Sequence, residues 1–253
     1  MPGTLEAFGL YATRSSAMVV SAPILGVGTR FSSYKIGLIA LVSLLMYGVT
    51  GAPLDAGVDT LLYAAMMLRE VLLGLFLSFV LHLAMLVVRV SGHMIGQEMG
   101  FLIAQQVDPA TGVRSSLITT MYESIFLLGL LALNGHFLLF RALADSYERA
   151  PIGGIEFSRG FTALAAEIFG DMFAAGLVFA APVMVLLVLV SALIGLLSRA
   201  VPHLNILEIG FSIRILLSFV AMFLFAPLLA PAIESVYDAF ARWLDAALVV
   251  MEG

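Results

Sequence analysis

Cysteine is absent from this 253-residue chain, which excludes disulfide frameworks and thiolate-based metal or redox sites and leaves the redox compartment unread. Charge is scarce: 11% of the residues are charged, against about 25% in an average soluble domain. The 17 acidic and 12 basic side chains leave a net charge of −5, without the basic surplus that nucleic acid would require. Catalytic signatures are missing too. There is no His-Glu-x-x-His pair, and His93 and Glu98, five residues apart, do not share a helical face. No serine sits in a Gly-x-Ser-x-Gly elbow. Gly26-Val-Gly28 neither follows a strand nor matches a phosphate loop. The expectation is therefore a protein without enzymatic activity, cofactor or bound metal. The start, Met1-Pro-Gly-Thr-Leu-Glu6, lacks the basic region of a secretory signal, so the first apolar segment is expected to be retained.

What the chain has in abundance is apolar side chains, 62% of all residues, with a mean hydropathy of +1.09. This composition predicts an all-α, polytopic helical membrane protein, a single integral membrane domain over residues 1–253. Six segments reach about the 20 residues that a membrane span needs. The first runs from Leu5 to Gly26, followed by a loop to Lys35, and the second from Ile36 to Val49. The third, from Thr60 to Met99, is free of proline and longer than one span requires. The fourth, Ser115 to Ala144, is interrupted by Asn134-Gly-His136, and the fifth joins an amphipathic piece, Ser158 to Asp171, to the apolar run Met172 to Leu197. The sixth extends from Leu204 to about Leu229, where Pro227 and Pro231 separate it from an interfacial tail over about 232–253. The few Lys and Arg residues place the odd loops in the cytoplasm and both termini outside.

One stretch departs from this apolar monotony. Gly92, Gly96 and Gly100 recur every fourth residue and form a bare helical stripe that another helix can approach at backbone distance. The helix then stops at Asp108-Pro109 and Thr111-Gly112. A non-helical segment at membrane depth must be buried in protein or face water. Arg14, Arg69, Glu70, His82, Arg89, His93, Glu98, Glu123, His136, Glu208 and Arg214 lie in or beside apolar stretches, where a charge at a helix centre costs at least about 2.5–3.5 kcal/mol. His82, Arg89, His93 and Gly96 fall on one helical face, which should point to a partner. Two readings remain open. These charges pair within the chain or snorkel to the interface, or they meet partner subunits or a water-filled passage. The glycine stripe likewise needs no more than internal packing, and a proton or ion relay stays possible.

At these residues the sequence resembles the FliR/SpaR-type family of type III secretion export-gate membrane proteins. The likeness is carried by Ala22-Pro-Ile-Leu-Gly26, by Arg69-Glu70 with Gly74, and above all by Gly92-x-x-x-Gly96-x-x-Met99-Gly100 followed by Asp108-Pro109. Asn134-Gly-His136, Pro151-Ile-Gly-Gly154 and Gly195-Leu-Leu-Ser-Arg199-Ala-Val-Pro202-x-Leu204-Asn205-Ile206 through Gly210-Phe211 continue it in order. His93, Glu98 and Ser212 depart from the acidic residue, glutamine and proline that many relatives carry, and Arg214 stands where a basic residue often follows.

The resemblance implies a structural and gating subunit of a flagellar protein-export apparatus. Its place would be the bacterial inner membrane at the flagellar basal body, in a helical hetero-oligomeric gate with FliP-, FliQ- and FlhB-type subunits. It also implies that the loop at about 101–116, with Gln105, Gln106, Asp108, Pro109, Thr111 and Gly112, plugs a passage for unfolded export substrates. Arg69, Glu70, Arg89, His93, Glu98, Glu208 and Arg214 are then the expected intramembrane polar contacts. Because the family's gate sits above the bilayer plane, the apolar faces would meet partner helices. A virulence-type III secretion homologue and a polytopic ion channel or transporter are the alternatives. A transporter would be active when purified alone, whereas a gate subunit would need its partners.

Overall fold

The computed structural model describes residues 3–23, 33–51, 53–54, 59–100, 117–153, 160–200 and 206–251. Within them the chain is helical: α1 (Thr4–Ser21), α2 (Ser33–Thr50), α3 (Thr60–Glu98), α4 (Leu117–Ala132), α5 (Gly135–Arg149), α6 (Phe161–Ala200), α7 (Ile206–Leu224), a 3-10 turn (Ala226–Leu228) and α8 (Leu229–Met251). No strand occurs among the described residues.

Local chemistry explains most of the boundaries. α3 runs for 39 residues because nothing in it breaks a helix, and at 1.5 Å per residue it is about 58 Å long, close to twice the roughly 30 Å of a hydrocarbon core. It ends where Gly100 adopts φ 87°, a conformation costly for any residue with a Cβ. The Asn134-Gly-His136 interruption appears as a left-handed Asn134 at φ 60°, between α4 and α5; asparagine is one of the few side chains that visit this region readily. The two pieces read for the fifth segment are one helix, α6, of 40 residues, which passes through Pro182 without ending.

The sixth segment and the tail are separated where the sequence predicted, with Pro227 in the 3-10 turn and Pro231 just beyond it. Pro231 lies in the first turn of α8, where the N–H that proline lacks has no helical acceptor to miss. Among the described residues, α2, α3 and α6 are each long and apolar enough to cross a membrane, and up to five spans result there if each of two broken helix pairs counts as one.

The described chain forms two compact units. The first comprises residues to Leu83, Asn134–Phe169 and Tyr237 onward. α1 is its spine: Ala7, Leu10, Arg14 and Met18 have no exposed surface. Tyr11 stacks on Tyr147 at 4.5 Å between ring centroids and donates its hydroxyl to the Thr50 carbonyl at 3.0 Å, which ties α5 and α2 to α1. Gly74 of α3 lies against the Arg14 carbonyl so closely that a Cβ there would collide with it.

The second unit comprises Ala84–Leu133 and Gly170–Val236. Its helices also meet at small residues. The Ser91 hydroxyl donates to the Gly176 carbonyl at 2.7 Å, joining α3 to α6, and a Cβ on Gly176 would stand 3.1 Å from the Val87 oxygen. Tyr122 of α4 meets Phe179 of α6 edge to face.

Long apolar faces remain uncovered. On α2 they include Ile36, Leu41, Leu44, Leu45 and Val49, and on α6 Val178, Val185, Leu189, Leu193 and Leu196. Patches of this extent are not stable in water and belong against lipid or other protein helices.

Candidate functional site

Two polar sites stand out against the apolar background, one in each unit. In the first, Arg14 is fully buried, and its guanidinium is satisfied from three directions. Nε donates to Glu70 Oε2 at 2.6 Å, one terminal nitrogen to the Ser146 carbonyl at 2.7 Å and its hydroxyl at 3.1 Å, and the other to the Ala150 carbonyl at 2.8 Å. The guanidinium also lies 4.4 Å from the centre of the Tyr147 ring. Tyr147 in turn donates to the Tyr11 carbonyl at 2.9 Å and bonds Ser15 at 3.1 Å. Glu70 is likewise buried, and its other oxygen lies 3.4 Å from Arg69, which also donates to the Pro151 carbonyl at 2.9 Å.

The planar fork of arginine suits this work because its donors point in fixed directions. One arginine thereby closes the C-terminal end of α5, accepts a counter-charge from α3 and is itself delivered by α1. A buried pair of this kind is strongly destabilising to break from one side, by about 3–5 kcal/mol.

The second site lies where α3 meets α4. Gly92 allows the approach, since a Cβ there would fall 2.7 Å from the Thr119 Cα. One turn away Arg89 pairs with Glu123 through Nε. This pair is not buried: 43% of the Arg89 side chain and 27% of the Glu123 side chain stay accessible. His93 and Gln97, exposed on the next turns of α3, bond each other at 2.9 Å.

The expected polar contacts thus distribute unevenly. Arg69 and Glu70 enter the buried cluster, and Arg89 finds its partner within the chain. His93 faces outward, so the single face drawn through His82, Arg89, His93 and Gly96 divides in the structure, with Gly92 and Gly96 buried and His93 exposed. Gly100 is buried at the end of α3. Glu98, half-buried, makes no ion pair with a described residue. Arg214 of α7 is half-buried, with its Nε shielded from solvent and without a hydrogen-bond partner among the described residues. Glu208 belongs to the backbone of α7, but its side chain is outside the described part. Gln105, Gln106, Asp108, Pro109, Thr111 and Gly112 all lie outside the described residues.

Lys35 requires a correction. Read from the sequence as a loop residue open to solvent, it belongs to the first turn of α2 and is 2% exposed. The helix starts earlier than the apolar run, at Ser33, and a long lysine stem can be buried along apolar surface. The cluster around Arg14 was also missed as a cluster: Ser146, Tyr147, Ala150 and Pro151 carry no charge, and they take part through carbonyls, two hydroxyls and the Tyr147 ring.

The fold defines a polytopic helical membrane protein in which Arg14 and Glu70 tie helices together. A family model described as bacterial export proteins, family 1, matches residues 5–240, and the chain belongs to that family. It is similar to the "Flagellar biosynthetic protein FliR" of Escherichia coli (strain K12), 31% identical over 226 residues, which cover 89% of this chain and 86% of the relative. The protein of the same name from Bacillus subtilis (strain 168) is 28% identical over 235 residues, 92% and 90% of the two chains. The "Surface presentation of antigens protein SpaR" of Shigella flexneri is 27% identical over 205 residues, 80% and 78%.

Proposed function

We propose that this chain is a structural and gating subunit of the flagellar type III protein-export apparatus, needed for flagellum assembly. The observation that carries the reading is the family match over residues 5–240, together with relatives named for flagellar biosynthesis that align along most of their own length. The architecture is compatible with it. Fully tied charges such as Arg14 and Glu70 build a rigid scaffold, and the uncovered apolar faces of α2 and α6 suit neighbours in a membrane assembly. The role is non-enzymatic, the place is the inner membrane at the flagellar basal body, and the partners are FliP-, FliQ- and FlhB-type subunits. Within the assembly, the segment from Gln105 to Gly112 acts as the plug, and Gly92, Gly96 and Gly100 serve as the contact stripe.

The test is deletion of the gene in the bacterium that carries it. Loss of motility and of secreted filament protein, both restored by the wild-type gene, is the expected result. Copurification of the tagged chain with the partner subunits in one complex of defined mass is the second. Normal flagella in the deletion strain overturn the reading. If a virulence-type secretion is lost instead, the similarity to SpaR is the better guide.

A further inference from the structure

Where α4, α6 and the α7–α8 junction meet, the second unit holds a partly enclosed cavity of about 420 Å³, within the roughly 300–1,000 Å³ of ligand pockets. Two helix interruptions line it. Pro182 lacks the N–H that would continue the hydrogen-bond ladder of α6. On the opposite wall, α7 and α8 bend by 49° at the 3-10 turn that contains Pro227.

The walls are apolar, with Val178, Phe179 and Val183 from α6, Met222 from α7, and Leu228 and Leu229 from the junction. The polar side chains among them are Ser235, which is exposed, and Tyr122, which is 4% exposed. The Tyr122 hydroxyl has no hydrogen-bond partner among the described residues, yet it is not sealed off, so it opens into the cavity that its ring lines. Val178 and Leu228 are themselves exposed, and they continue into the uncovered apolar surface of Val185, Phe223 and Leu224. The cavity is thus reached from the surface that must avoid water.

Walls of this kind do not hold water well, and left empty they forfeit the dispersion contacts of every lining atom. A neighbouring helix, about 10–12 Å across, is too wide to enter and could insert only single side chains, which leave much of the volume unfilled. A flexible run of methylenes can follow the bent walls and fill them. The one buried polar group asks for an acceptor, and the ester carbonyl at the head of an acyl chain accepts without needing a partner of its own. We infer that this cavity binds one acyl chain of a membrane phospholipid, with the Tyr122 hydroxyl donating to its ester carbonyl. The site rests on the membrane character of the chain and not on the export reading.

The test uses cells that express the full chain with its partners and grow on a fatty acid carrying a diazirine, so that their phospholipids bear the probe. Val183 and Met222 are 3% and 8% exposed, so only a chain inside the cavity reaches them, whereas Val188, on the open face of α6, reports ordinary lipid contact. After illumination, adducts with the mass of an intact phospholipid are expected on Val183 and Met222 as well as on Val188. Ala232→Trp fills the cavity from α8 and should abolish the first two while leaving the third. Tyr122→Phe keeps the edge-to-face contact with Phe179 and should lower the cavity adducts about threefold, the loss of one hydrogen bond. Labelling of Val188 alone, or cavity adducts that persist in Ala232→Trp, overturns the inference. Adducts with the mass of unesterified fatty acid overturn the phospholipid, and an unchanged yield in Tyr122→Phe overturns the hydrogen bond. Where Ala232→Trp does not assemble, the Tyr122→Phe comparison decides. Failure of the export reading is seen separately, as normal secretion in the deletion strain.

Discussion

Replacing Glu70 by glutamine isolates the buried charge pair with almost no change of shape. In the Glu70→Gln protein the amide oxygen still accepts from Arg14 Nε, now separated by 2.6 Å, but the counter-charge is gone. Arg14, without exposed surface, becomes an uncompensated buried cation with Arg69 beside it. Breaking a buried pair from one side costs about 3–5 kcal/mol, a large part of the roughly 5–15 kcal/mol by which a native protein is held. For a chain of this length that corresponds to a fall in Tm on the order of 10 °C.

The complementary change, Arg14→Met, leaves Glu70 charged and buried and removes the donors from the Ser146 and Ala150 carbonyls, each worth about 1–3 kcal/mol when unsatisfied. The double variant no longer holds a charge without its partner. It should be about 3 kcal/mol less destabilised than the sum of the singles, although still below wild type because the carbonyls stay open. Thermal unfolding of the purified protein in one detergent, followed by size-exclusion recovery, measures all four corners of the cycle. A Glu70→Gln protein within 0.5 kcal/mol of wild type, on the order of measurement error, or strict additivity of the singles would refute the reasoning.

Two further outcomes rest on the described packing and a third on the proposed plug role. Gly92→Ala places a Cβ 2.7 Å from a backbone atom of α4 that cannot rotate away, so a loss of about 1–3 kcal/mol is expected, together with a lower yield of purified complex; Gly195→Ala on α6, with nothing within 4 Å, should be neutral. Tyr147→Phe removes the hydroxyl that bonds Tyr11 and Ser15 in a buried site and should cost about 1–1.5 kcal/mol in the same thermal assay, with export unaffected at ordinary temperature. Deletion of Gln105 to Thr111 should leave the complex assembled and raise ion leakage, read as membrane conductance in cells expressing the partners. An assembled deletion variant as tight as wild type removes the plug role from this segment.

Lengths and stops of helices were written in the chain itself. Thr60 to Met99 contains no breaker and forms one helix, α3, to Glu98, and Asn134 before Gly135 takes the left-handed turn that the local chemistry favours. The stop of α3 at Gly100, ahead of the Asp108-Pro109 stop expected from the sequence, takes Gly100 off the helical stripe through a backbone conformation that suits glycine. These are short-range effects, decided within one or two turns by backbone sterics and by missing or available N–H groups. Membrane character was equally legible, since composition alone sets how much apolar surface must avoid water.

Which face of each helix is covered, and what stands opposite each charge, was decided only by the tertiary structure. α3 is apolar nearly all round, so periodicity cannot tell its buried side from its exposed one. Arg14 meets Glu70 across 56 residues and Ser146 across 132, and Arg89 meets Glu123 across 34. Which carboxylate each arginine meets depends on helix crossings that the close approaches at Gly74 and Gly92 permit. Lys35 shows the same limit from the other side: its charge argued for a loop, yet the packing of α2 buries it. A charged side chain in an apolar chain announces that a partner is needed, and only the assembled helices determine which group supplies it.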